Sequence, residues 1–119
     1  MEQTRIQDIY MYLKKQGFKV YFPTQKQGEC TFPYVVVKDM TTSKIAGISS
    51  TVTYYDLMCY VPREHFSTLS VFVEQVKNSM KGMTPMIMPT YTETASFYDE
   101  DVKAHMVSVQ YRNNRKIIS

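Results

Sequence analysis

Cysteine, histidine and glycine are scarce in this chain of 119 residues, which has two, two and four of them. Each scarcity removes a class of chemistry. Cys30 and Cys59 are too few and too irregularly placed for a disulfide framework, so synthesis in a reducing cytosol is expected. Together with His65 and His105 they are scattered singly, without the short paired spacings of a zinc site. No sequence feature brings Cys59 beside a histidine, and a cysteine inside an apolar strand behaves as an inert small hydrophobe. Gly17, Gly28, Gly47 and Gly82 stand alone, each at a turn or cap, so no glycine-rich loop cradles a phosphate. Eighteen consecutive apolar residues occur nowhere, so no membrane-spanning helix is expected. The first twenty residues carry early acids and lack the apolar core of a secretory signal.

Charge of one sign is also in short supply. Fourteen Lys and Arg against eleven acids leave a net charge of +3, less than the clustered basic face of most nucleic-acid binders. What is present is ordinary globular material: 44% hydrophobic and 21% charged residues, enough for one core in one domain over residues 1–119.

Periodicity orders that material. Ile6, Ile9, Tyr10 and Leu13 recur at helical spacing and predict a first helix over residues 4–16, with Lys14 and Lys15 in its last turn and Gly17 as its stop. "FKVYF" (18–22) reads as a short strand. The stretch from Pro23 to Pro33 reads as a turn or hairpin connection. "YVVVKDM" is a β-branched strand, and "TTSKIAGISS" a loop or extended hairpin arm. Residues 51–61 return as a long strand with Leu57, Cys59 and Val61 on one face and Tyr54, Asp56, Met58 and Tyr60 on the other, partly wet, face. Pro62 and Glu64 open a second helix whose stripe is Phe66, Leu69, Val73, Val76 and Met80, with Gly82 as its stop. "PMIMPT" is a strand between prolines, residues 91–103 a polar loop, and residues 104–112 a closing strand. The order α-β-β-β-α-β-β predicts an α+β fold, a mainly antiparallel β-sheet with two helices packed on one face.

The adjacent acids Asp99, Glu100 and Asp101 are the only hint of a catalytic centre. With Lys103 they imitate half of a Mg²⁺-dependent nuclease site, which needs hard oxygen ligands and a lysine. No acid on a neighbouring strand completes it, and a solvated acidic lip explains the triplet equally well. No enzyme and no cofactor are therefore expected. Ten tyrosines exceed what a small core needs, and four of the nine methionines, Met80, Met83, Met86 and Met88, lie close together. Exposed tyrosine serves protein interfaces at low entropic cost and can also stack nucleic-acid bases. The slight basic excess favours protein partners.

The strings "YDLMCYVP", "PMIMPT" and "YDEDVKAHMVSVQYRNN" carry a family likeness that covers roughly residues 34–116. In them the chain resembles the tail-terminator and minor tail proteins from the head-to-tail joining genes of tailed phages and prophages of Gram-positive bacteria. The resemblance implies a virion protein, assembled in the host cytoplasm, that forms a ring, usually hexameric, at the head-proximal end of the tail tube. Such a ring stops tube polymerisation, docks neck and head-completion proteins, touches sheath protein if the tail contracts, and lets DNA pass through its lumen without sequence-specific binding. Neck adaptors and head-closure proteins of the same connector use comparable small folds. Ring closure needs two different complementary surfaces. The residues expected to supply them are Lys44, Ile45 and Tyr54, the acids Asp99, Glu100 and Asp101, and the cations Arg112, Arg115 and Lys116.

Overall fold

A computed structural model describes the backbone of residues 6–44 and 50–116, with side chains except those of 40–44, 50, 51 and 114–116. Helix α1 (Ile6–Lys15) turns Ile9 and Leu13 inward with no exposed surface. Gly17 follows at φ +99°, the left-handed conformation expected of a helix stop. Strand β1 is only Val20–Tyr21, shorter than the "FKVYF" strand read from the sequence, and it pairs parallel with β2 (Tyr34–Lys44). A parallel pair cannot be joined by a hairpin. The connection from Pro23 to Pro33 is therefore a crossover, and it drapes over the sheet face opposite the helices, where the Cys30 N–H donates to the Val102 carbonyl at 2.7 Å. There Cys30 and Phe32 join Tyr34, Val36, Tyr60, Val102 and Ala104 in a second, smaller apolar cluster.

The remaining pairs are antiparallel. Strand β3 (Ser50–Pro62) lies between β2 and β6 (Ala104–Lys116), and β4 (Ile87–Glu93) and β5 (Phe97–Asp99) share the far edge of β6. The α+β expectation, with its order of elements, holds; β5 is an added short strand inside the segment read as a polar loop. The sheet path is β1-β2-β3-β6-β4. Register stacks the core in rows, Val35–Cys59–Val107 and Val37–Leu57–Val109, because residues directly opposite share a face. Among the described residues no helix is long and apolar enough to cross a membrane.

Pro62 closes β3, and a 3₁₀ segment (Arg63–Thr68) precedes α2 (Leu69–Met80). The α-helix thus starts seven residues later than Pro62 implied. Phe66 falls on the 3₁₀ segment and is 52% exposed, while Phe72 joins Leu69, Val73, Val76 and Met80 in the core. The cause is the change of pitch: a residue placed by 3.6-residue periodicity rotates off the stripe in a 3.0-residue turn. Gly82 follows the helix, but inside a 3₁₀ turn (Lys81–Met83) rather than as a left-handed cap. Its lack of a side chain serves packing. A Cβ at Gly82 would overlap the Tyr12 hydroxyl, which donates to the Ser79 carbonyl at 2.6 Å. That bond satisfies one of the terminal carbonyls of α2 and ties the two helices together.

Two outcomes follow. Val73→Asp places a charge without a partner in the layer between α2 and the sheet, so the purified chain should lose its cooperative thermal transition. Gly82→Ala should cost about 1 kcal/mol by breaking the Tyr12 bond. Denaturant titration should find most of that cost gone in a Tyr12→Phe background, because both changes remove the same contact.

Candidate functional site

The acidic triplet sits in the turn between β5 and β6. Asp99 lies opposite Ala104, and its Oδ1 accepts the Asp101 N–H at 2.9 Å, a local turn bond that keeps the carboxylate facing its own loop. Glu100 and Asp101 are exposed. Among the described residues no three His, Cys, Asp or Glu side chains converge as a group able to hold a metal ion. Lys103, the supposed lysine of a nuclease half-site, stands in the left-handed region at φ 52° and is likewise exposed. The triplet is a lip at one end of the sheet.

The basic residues gather at the other end. Register places Lys44 opposite Thr51 and Thr51 opposite Arg115, with Ser50 opposite Lys116 and Tyr54 opposite Arg112. Lys44, Tyr54, Arg112, Arg115 and Lys116 therefore share one end of the three central strands, while Ile45 lies outside the described residues. Arg112 is eight positions beyond Ala104, the partner of Asp99, a span of roughly 27 Å at strand rise. The body measures 52 × 26 × 24 Å, and the acidic triplet and this basic group stand toward opposite ends of β6. Arg112 and the acidic triplet of one copy are too far apart to meet each other.

Between these ends the helix-free face is largely self-sufficient. Lys38 lies opposite Asp56 and Asp56 opposite Gln110, whose Oε1 accepts the Thr90 hydroxyl at 2.8 Å. This polar row crosses four strands and explains why Asp56 is tolerated in the middle of a long strand. Tyr54, Met58 and Tyr60 are all half-buried, as a partly wet face requires.

The sequence did not single out the groove between α2 and β4. Met80, Met88, Pro89, Val109 and Tyr111 line it with apolar surface in a cavity of about 410 Å³. A neighbouring cavity of about 430 Å³ continues it along α2 toward Phe66. Lys77 separates the two, bridging to Glu93 at 3.2 Å and Glu74 at 3.4 Å. Partial burial disfavours its ammonium, but the hydrogen bonds and charges of Glu93 and Glu74 outweigh this and hold its pKa above the ordinary lysine value. Tyr91 stands on the lip of the groove, 89% exposed and at φ +62°. A left-handed backbone is uncommon for a residue as bulky as tyrosine. "PMIMPT" and the methionine cluster were the available signals, but only the sheet register shows that they face α2 across an open groove.

Burial dominates the shifts of one cysteine and three tyrosines. Cys59 is fully buried and desolvation pushes its thiol up to about 12, so the strand cysteine is inert. Desolvation also raises the phenols of Tyr34, Tyr60 and Tyr111. No protein-family model matches the chain, and no curated protein matches its sequence.

The raised values fix the sign of a pH dependence. In the unfolded chain a thiol ionises at about 8.5 and a phenol at about 10. The folded protein retains these protons at higher pH, so their contribution is complete below about pH 8.5 and is lost as pH climbs toward and past 12. In an alkaline titration, tyrosinate absorbance of Tyr34 and Tyr111 should appear together with loss of circular dichroism and not before it. Tyr111→Phe should make the fall of melting temperature with pH shallower, by up to about 1.4 kcal/mol per pH unit of linked proton release.

Proposed function

We propose that this chain is a non-catalytic structural subunit that closes into a ring, and that the ring is the terminator at the head-proximal end of a phage tail tube. The observation that carries the assembly reading is the placement of Asp99, Glu100 and Asp101 toward one end of β6 and of Arg112, with Lys44, Arg115 and Lys116, toward the other end of the central strands. Two unlike, complementary surfaces on one subunit favour a heterologous contact, which is the kind that repeats around an axis. Acid–cation pairs at such a rim speed and orient association more than they hold it, so the grip has to come from apolar surface nearby. Support for the tail-terminator role is the sequence likeness in "YDLMCYVP", "PMIMPT" and "YDEDVKAHMVSVQYRNN".

In this reading the ring caps the tube, offers its other side to neck proteins, and lets DNA cross its lumen through contacts that carry no sequence information. The grouping of Lys44, Arg112, Arg115 and Lys116 at one end favours one competing reading, a nucleic-acid-binding module. Salt decides between them, since phosphate binding weakens steeply and linearly on a logarithmic salt scale.

Light scattering coupled to size exclusion should find a closed oligomer, or one that forms when tail tube protein is added. A monomer under both conditions, with tight salt-sensitive DNA binding, would replace the ring by the nucleic-acid module. Electron micrographs of tails assembled without the protein should show overlong tubes. Tails of normal length that lack heads would move the protein to the neck.

A further inference from the structure

We infer that a basic groove beside β1 receives the acidic lip of a second copy of this chain, with Phe97 against its aromatic wall. The inference rests on the ring reading and names the surface that the acids meet. Charge, composition and the placement of the two patches on the sheet carry it together.

The groove is a cavity of about 470 Å³ between the end of α1 and β1. Tyr10, Phe18 and Tyr21 give it aromatic surface, and its charged lining residues among the described residues are Lys14 and Lys19. Lys14 donates to the Tyr10 hydroxyl at 3.2 Å and lies 5.2 Å from the centre of that ring. These contacts place the ammonium without neutralising it. Lys19 is exposed and, among the described residues, has no salt bridge. The groove therefore offers two positive charges and no acid. The groove between α2 and β4 offers no such excess, because Glu74 and Glu93 balance Lys77 and Lys81 there.

The lip has the matching composition. Phe97 is 48% exposed, and over residues 97–103 the acids Asp99, Glu100 and Asp101 outnumber the single cation, Lys103. Placement decides the partner. Register runs one row of the sheet through Val20, Val35, Cys59 and Val107, and the adjacent row through Tyr34, Tyr60, Met106 and Phe97. Strands β1 and β5 thus stand at the same level on opposite margins of one sheet, four strand spacings or roughly 19 Å apart. The lip cannot reach across its own sheet to its own groove. A copy rotated about an axis along the strands presents its lip to that groove without sliding, which is the head-to-tail geometry that closes a ring. Arg112 lies six residues beyond Met106 on β6, roughly 20 Å at strand rise. The same rotation leaves the strand-end cations to partners above and below the ring.

Charge exchange tests this on the full-length chain. Lys19→Glu and Glu100→Lys should each weaken self-association about tenfold, and the chain carrying both should recover it. Both sites are on the surface, and unchanged circular dichroism and melting temperature confirm that the variants fold. In parallel, Lys19→Cys mixed with Glu100→Cys should form an intermolecular disulfide under mild oxidation, since Cys30 and Cys59 are both buried. Rescue of Glu100→Lys by Lys81→Glu or Arg112→Glu, in place of Lys19→Glu, would seat the lip elsewhere and overturn the assignment. Loss of tail tube protein binding in Lys19→Glu, with self-association intact, would give the groove to a different acidic protein and overturn it too. Oligomers that form normally, give no disulfide and ignore the charge exchange would likewise overturn the contact and leave the ring standing. A wild-type chain that stays monomeric at every concentration and with tail tube protein would overturn both.

Discussion

The dry layer between α2 and the central strands β3 and β6 is the constraint to which everything else conforms. Leu57, Cys59, Val61 and Val76 have no exposed surface, and Val73, Val109 and Tyr111 have almost none. Burial of this kind contributes about 1.5–3 kcal/mol for each fully covered Val or Leu before entropy is counted, more than any polar contact in the molecule. Because side chains alternate along a strand, committing these residues to one face commits Tyr54, Asp56, Met58 and Tyr60 to the other. The polar row through Lys38, Asp56, Gln110 and Thr90 is a consequence of the core, since that face has no helix to cover it.

The same constraint decides where the working surface lies. The two helices occupy one face, the crossover from β1 to β2 shields one end of the other, and β2 and β6 continue toward the opposite end. What is left for partners is the periphery, including the β5–β6 turn, the end of the three long strands, and the edge where β4 fails to close against α2. The acids, the cations and the apolar groove occupy these three places in turn. A chain whose interior is used by packing, and whose polar and apolar leftovers sit on its rim, is consistent with the assembly role we propose. Its two cysteines are both buried, and the raised pKa of Cys59 fits a thiol held out of reach of substrates.

Several features were legible from the order of residues. The α1 and α2 stripes, the faces of β3 and the strand character of residues 34–40 follow from local spacing, and local spacing survives into the fold wherever an element keeps a single pitch. The exceptions have physical causes. Phe66 left its stripe because the chain enters α2 through a 3₁₀ segment. Residues 97–99 became a strand because β6 offered an unpaired edge, a partner invisible in a polar stretch. The connection from Pro23 to Pro33 looked like a hairpin by its turn residues, although direction of pairing is not encoded in turn residues alone.

By itself the sequence determined the composition of the faces: which residues seek the core, where helices stop, and that the chain lacks the spacings for a zinc site or a phosphate loop. Those properties depend on neighbours one to four positions apart. Only the tertiary structure decided that the acids and the cations stand at opposite ends of one strand, that Gly82 is small for the sake of Tyr12, and that methionines, Pro89 and Tyr91 line an open groove. These depend on register and on contacts between residues far apart in the chain, with 67 positions separating Tyr12 from Ser79. Hydrophobic spacing along a segment carries no information about which distant segment will lie against it.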